Sequence, residues 1–332
     1  MNAPLSPKVS HDLIGHEDAV EQFRSAFASG RMHHAWLMAG IDGIGKTSLA
    51  WHIANHVLSN GENPIGKYNP QNRVTKLIQA EAHPDLLVVR RAVDEKTGEL
   101  RNVIVVDDAL KIASFLRKTS THGGWRVVII DEAHMLNRHG ENAILKILEE
   151  PPAHALILIT ATTPGALLPT IRSRCRVLPL MPLDTAHMKV VLARSAPDLS
   201  SADIERLIAL SGGSAGFALK IARTETLPLY DELQSLIAAF PILDVPRLHK
   251  LADQISRKAD SESFEVLRAL LLEGVRAATL QNAKSGEDRS LTGRCLQVLD
   301  KMNMTFSSAD MANLDRKLAF IRVMSDLHEA RI

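Results

Sequence analysis

With 332 residues, 45% hydrophobic and 23% charged, the chain has the make-up of a soluble globular protein, with room for two or three domains. A formal net charge of +1 provides no global basic field for nucleic acid, so any DNA contact must come from a local patch. Two cysteines, Cys175 and Cys295, exclude a disulfide framework and a four-cysteine zinc site, and no apolar run approaches the ~18 residues of a membrane span.

The first residues, Met1-Asn2-Ala3-Pro4-Leu5-Ser6-Pro7-Lys8, lack the apolar stretch of a secretory signal, and a cytoplasmic protein with reduced thiols is expected. Aromatic residues make up only 4%, which argues against stacking platforms for single-stranded bases. The first strong element is the apolar run 35–39, of the right length for a buried strand. His33 and His34 precede it and are read as structural, since no metal-ligand spacing occurs among the 14 histidines.

Directly after the strand stands Gly40-Ile41-Asp42-Gly43-Ile44-Gly45-Lys46-Thr47, a complete G-x-x-x-x-G-K-[ST] phosphate-binding loop. Residues 48–58 follow as a helix with Leu49, Ile53 and Val57 on one face. Strand, glycine turn and helix together aim backbone N–H groups and a helix N-terminus at an anion. Gly40 and Gly45 permit backbone angles and a close approach that a Cβ would block. Lys46 is expected to reach the β- and γ-phosphates, and Thr47 to hold Mg²⁺. The nucleotide-binding set is therefore Gly40, Asp42, Gly43, Ile44, Gly45, Lys46, Thr47 and Ser48.

Further strands are expected at 85–90, 103–106, 126–130, 155–160 and 176–180, alternating with helices at 108–118 and 141–150. The stretch 85–106 reads as an inserted hairpin turning near Thr97-Gly98, and Pro151-Pro152 stops the helix at 150. This alternation specifies an α/β domain around a mostly parallel sheet. The strand 126–130 runs into Asp131-Glu132, an acid placed to hold Mg²⁺ and a following Glu placed to polarise a water as general base. Asp131-Glu132-Ala133-His134 also spells the DEAH string of some helicases, but those need two strand-rich motor domains and the β pattern here ends near 180. Beyond it, helices at 184–194 and 200–211 and a third from near Ser214 make a small helical domain, 182–226. The remainder, 227–332, is all helical. Phe264, Leu267, Leu271, Val275 and Ala278 form one apolar stripe, Leu314, Leu318, Ile321 and Leu327 another, and 281–293 reads as a loop.

Several of these strings resemble the clamp-loader AAA+ ATPases. They are Ile14-Gly15-His16, His33-His34-Ala35, His83-Pro84-Asp85, the run Asp131–Asn137, the Leu148-Glu149-Glu150-Pro151-Pro152 helix end and Ser173-Arg174-Cys175. The resemblance implies a P-loop domain over 1–181, a helical lid over 182–226 and a helical collar over 227–332. It implies ATP and Mg²⁺ as ligands. It also implies a hetero-pentamer with gamma/tau-like and delta-like subunits that acts on a sliding clamp and primer–template DNA. In that family the arginine of Ser-Arg-Cys works in trans on the neighbour's γ-phosphate, a role that falls to Arg174 and suits a guanidinium fork. Cys175 is read as a packed residue. The family's sensor residue on the strand before Ser-Arg-Cys is usually a Thr. Thr160, Thr162 and Thr163 are candidates, with Thr162 favoured.

Two departures separate this chain from motor subunits of the family. Gly216 stands where their Gly-Ser-x-Arg pattern has an arginine, and no long tail follows the collar. Many relatives hold zinc between the P-loop helix and His-Pro-Asp, but 59–82 contains no cysteine, so no zinc is expected. A stator-like subunit that binds ATP and hydrolyses it weakly is thus favoured. An active motor is the alternative. A small-molecule kinase is disfavoured because the lid is followed by about a hundred residues of collar-like helices.

Overall fold

The computed structural model describes residues 10–93, 101, 103–120, 124–256, 261–285, 289–312 and 315–330. The chain divides into two compact units, Met1–Phe217 and Ala218–Ile332. The first contains, in order, α1 (Glu17–Ala28), β1 (Ala35–Ala39), α2 (Lys46–Leu58), α3 (Arg73–Gln79), β2 (Leu86–Val89), α4 (Val106–Leu116), β3 (Arg126–Ile130), α5 (Arg138–Glu149), β4 (Ala155–Ala161), α6 (Pro169–Arg172), β5 (Arg176–Pro179), α7 (Thr185–Ser195), α8 (Ser201–Ser211) and the start of α9 (Ala215–Arg223).

The five strands make one parallel sheet in the order β2-β3-β4-β1-β5. Every residue of β1, β3 and β4 is buried, as a sheet covered on both faces requires. Period-two alternation sends Trp36, Met38, Val127, Ile129, Leu156 and Leu158 to one face, packed with Phe23 of α1 and Leu49, Ile53 and Val57 of α2. Leu37, Val128, Ile130, Ile157 and Ile159 face the other way, onto Ile112 of α4 and Ile144 and Leu148 of α5. The Phe23 and Trp36 rings lie 4.9 Å apart.

Side chains cap several helices by accepting first-turn N–H groups. Asn72 serves α3, Asn137 α5, Asp184 α7 and Ser200 α8. The His-Pro-Asp string has a structural use: Asp85, just before β2, pairs with Arg126 at the head of β3 at 3.3 Å, both side chains being nearly fully buried. The Arg126 guanidinium also donates to the Phe115 carbonyl and covers the Phe115 ring.

The region expected to hold a strand at 103–106 does not join the sheet. Ile104 makes a single bridge to Leu136, and Val106 already begins α4, whose first turn carries Asp107 and Asp108 where acids favour a helix N-terminus. The turn expected near Thr97-Gly98 lies outside the described residues.

In the second unit, α10 (Leu227–Ala238), α11 (Val245–Ile255), α12 (Ser261–Ser285), α13 (Arg289–Ala312) and α14 (Arg316–Ala330) enclose a separate apolar core. Phe264, Leu267, Leu271 and Val275 are buried as the stripe implies, together with Met302 and Phe306 of α13. Two sequence expectations fail here. Helix α12 runs on to Ser285 and α13 opens at Arg289, so 281–285 and 289–293 of the expected loop belong to two helix ends, and 286–288 lie outside the described residues. On α14 the buried face is Ala319, Phe320, Val323, Met324 and Leu327, while Leu318 is 64% exposed. Leu314 lies outside the described residues.

Burial also sets an acid sensitivity in the first unit. Desolvation lowers the His52 imidazole from 6.5 to about 4, outweighing the hydrogen bond to His11 O that favours its charged form. The unfolded chain therefore binds a proton before the folded one does. Stability is complete above pH 6.5 and declines as pH falls towards 4. The melting temperature should drop by several degrees across that window, and His52→Gln should flatten the slope. An identical slope in the variant would remove His52 from the explanation.

Candidate nucleotide site

The loop Gly40–Lys46 joins β1 to α2 at the carboxyl end of the sheet. Gly45 sits at the N-cap of α2 with φ 106°, a left-handed conformation that bars ordinary side chains, and supplies no side-chain cap to the first-turn amides. Lys46 is 7% exposed, and its ammonium donates to Gly40 O at 2.7 Å and Ile41 O at 2.8 Å, with the Asp42 carboxylate at 3.3 Å. Ile44 is buried, and its carbonyl lies 2.7 Å from His16 Nε2. Burial is the main cause that lowers the His16 imidazole from its ordinary value, favouring the neutral ring. Thr47 and Ser48 occupy the first turn of α2.

The second half of the site arrives through the sheet order. Strand β4 lies between β1 and β3, so a residue near its end can reach the segment leading out of either neighbour. Thr47 Oγ1 donates to Asp131 Oδ1 at 2.6 Å, and Thr160 Oγ1 donates to the same oxygen at 2.7 Å while accepting the Glu132 N–H at 2.9 Å. Thr160, fully buried in β4, is thus the sensor candidate that contacts Asp131. Thr162 lies just beyond the end of β4, and the parallel register, which pairs Ile159 with Ile130, sets Thr160 beside Asp131.

Glu132 takes a left-handed backbone, φ 53°, and its carboxylate is held by Arg91, whose Nε and a terminal nitrogen both lie 2.8 Å from Oε2. Arg91 escaped the sequence reading. The available signal was Arg90-Arg91 directly after β2, the sheet neighbour of the strand that ends in Asp131-Glu132.

Arg174 is apart from this cluster, between α6 and β5. Its side chain is 35% exposed and pairs with Glu149 at 2.8 Å, and it donates to Thr170 O at 2.9 Å. Burial pushes the neighbouring Cys175 thiol up to about 12, too high for a nucleophile. Gly216, at the start of α9, lies against the phosphate loop itself: its N–H donates to Gly43 O at 2.8 Å, and Ser214 Oγ donates to Asp42 O at 2.6 Å. His33 and His34 bond to backbone carbonyls of Ala35 and Leu148, in keeping with a structural use. No group of metal-ligating His, Cys, Asp and Glu occurs among the described residues, and no described helix is long and apolar enough to cross a membrane.

A parallel sheet with a glycine-rich loop, a lysine and a strand-terminal acid at its carboxyl edge defines a P-loop protein with an AAA+-type core. The family described as DNA polymerase III, delta subunit, matches residues 15–184, and the chain belongs to that family. It is 37% identical over 182 residues to DNA polymerase III subunit delta' of Pseudomonas aeruginosa, covering 54% of this chain and 53% of that protein. It is 32% identical over 202 residues to the Escherichia coli subunit of the same name, covering 60% and 58%. A match to DNA polymerase III subunit tau of Salmonella typhimurium is 31% identical over 223 residues, 66% of this chain and 33% of that one. The matches thus span roughly half the length of the delta' relatives. A crystal structure of a DNA polymerase III gamma subunit-related protein from Thermotoga maritima has a TM-score of 0.50 at 17% identity, covering 95% of this chain and all of that one, a likeness of fold.

Proposed function

We propose that this chain is a stator-like clamp-loader subunit of a replicative DNA polymerase III. In this reading it binds a nucleoside triphosphate in its own loop and offers Arg174 to the triphosphate held by a neighbouring subunit. It works in the cytoplasm, in a hetero-pentamer with gamma/tau-like and delta-like subunits, and meets the sliding clamp and primer–template DNA through that assembly. The P-loop domain would span 1–181, the lid 182–226 and the collar 227–332.

The residues fit the ligand. The Lys46 ammonium is pre-anchored on two loop carbonyls, and the Thr47 hydroxyl and Asp131 carboxylate meet at 2.6 Å as the hard oxygen donors that Mg²⁺ prefers. Mg²⁺, when bound, supplies charge neutralisation at the phosphate oxygens. The chain's own contribution is placement. Lys46 presents positive charge, Thr160 orients the Asp131 carboxylate, and Glu132 is the group able to take a proton from water once released from Arg91.

The observation that carries the stator reading is the position of Arg174. It is partly exposed and shares no hydrogen bond or ion pair with this chain's own Lys46–Asp131 cluster among the described residues, being held by the Glu149 carboxylate, the Thr170 carbonyl and, at 3.4 Å, the Ser173 hydroxyl. An exposed pair of this kind is worth only ~0–1 kcal/mol, so a partner's phosphate can take the guanidinium. The motor reading is favoured by the intact Lys46, Thr47, Asp131 and Glu132. Against it stand Gly216, which brings no charge to the phosphates, and the Arg91–Glu132 pair.

The purified chain should therefore turn over ATP far more slowly than the assembly reconstituted with its motor and clamp-opening partners. Comparable steady-state turnover by the isolated chain would favour the motor reading instead.

A further inference from the structure

The place of Gly216 shows more than a missing arginine. A Cβ built on Gly216 would stand 2.7 Å from Gly43 Cα and 3.2 Å from Gly43 O. A Cβ on Gly43, whose φ is +76°, would stand 2.5 Å from Ser214 Oγ and 2.9 Å from Phe217 N. Two glycines are therefore in backbone-to-backbone contact, which only the absence of side chains on both allows. Two hydrogen bonds cross the same contact, Ser214 Oγ to Asp42 O and Gly216 N to Gly43 O. Ser214, 3% exposed, uses its hydroxyl twice, since it also accepts the Phe217 N–H at 3.1 Å and so closes the first turn of α9.

In a trans peptide the N–H of one residue points opposite to the carbonyl of the residue before it. Drawing the Asp42 and Gly43 carbonyls towards α9 thus turns the Gly43 and Ile44 amides away from it. Loop amides of this kind are what receive a phosphate. We propose that Ser214 and Gly216 are positioning residues that hold the phosphate loop from its carbonyl side. Gly216 is required for that contact, so this loop is organised by the backbone of α9 where a motor subunit would instead present an arginine. The site cannot regain the arginine without losing the grip. This inference rests on the nucleotide-binding reading for its consequence, though the contact exists without ligand.

The test uses the full chain and four substitutions, Ser214→Ala, Gly216→Ala, Gly216→Arg and, as control, Gly274→Ala, a position where an added Cβ meets nothing within 4 Å. Amide exchange of the peptide covering residues 40–48, measured without nucleotide, should accelerate about fivefold to tenfold in the first three, as expected for the loss of one hydrogen bond. The control should leave it unchanged. Calorimetric affinity for Mg-ADP should fall by a similar factor, and Gly216→Arg should weaken it despite the added positive charge. Unchanged loop exchange in both Ser214→Ala and Gly216→Ala overturns the proposal. So does tighter nucleotide binding by Gly216→Arg with loop protection retained. Should the unaltered chain bind no Mg-ADP, the nucleotide reading falls, and the ligand-free exchange data still decide whether α9 holds the loop. Ser214→Ala, which deletes a single oxygen, keeps the test open if a Cβ at 216 unfolds the unit.

Discussion

Under the proposed in-trans role, Arg174→Ala is expected to lower ATP turnover at the neighbouring subunit's site by roughly 10³-fold or more, while this chain stays folded. The size follows from chemistry. A planar, permanently charged fork matches the oxygens of a transferring phosphoryl group, and positive charge there counts most as negative charge builds up in the transition state. The effect on folding is small because the side chain is partly exposed and its Glu149 partner is exposed as well. Arg174→Lys should recover little, since an ammonium keeps the charge and loses the fork. Glu149→Ala separates the two roles. It removes the pairing inside this chain and should leave turnover of the assembled complex intact or slightly raised. The measurement is the ATPase rate of the reconstituted complex, with assembly checked by gel filtration. Full activity of an intact Arg174→Ala complex would end the in-trans assignment.

The second large effect is Lys46→Ala, expected to weaken nucleotide binding to this chain about 10- to 100-fold, the scale of losing a charged hydrogen-bond donor from a phosphate site. Lys46 is suited to this because it enters from the first residue of α2 and its stem is buried. Its ammonium is already held at Gly40 O and Ile41 O, so little side-chain entropy remains to be lost on binding. Removing it also strips those two carbonyls of a donor, a further cost of ~1 kcal/mol or more to the folded loop. Titration calorimetry with Mg-ADP on the isolated chain, alongside a melting curve, distinguishes the two losses. Equal affinity for Lys46→Ala and the unaltered chain would show that the loop does not grip phosphate.

Much of the fold could be read directly from local pattern. The five sheet strands, with α2, α4 and α5 beside them, announced themselves as short apolar runs and periodic stretches, because both sheet faces are covered and burial is uniform along β1, β3 and β4. The loop expected over 281–293 gave way to helix at 281–285 and 289–293 for the converse reason. Polar residues at two solvated helix ends look like a loop when nothing in the sequence says which face is packed. The strand expected at 103–106 shrank to a single bridge because Val106 was recruited into α4.

The phosphate loop, by itself, was decided by the sequence, since eight contiguous residues between a strand and a helix suffice to shape an anion cradle. The pairing of Thr47 with Asp131 was foreseen as a shared metal site but not as a contact. What only the tertiary structure decided lies across the sheet and the chain. Strand register set Thr160 beside Asp131, the adjacency of β2 and β3 placed Arg91 on Glu132, and residues 172 positions apart brought Ser214 onto Asp42. Each is a juxtaposition of segments distant in sequence. Parity and periodicity fix which face a side chain takes, and only the packed sheet fixes which neighbour it finds there.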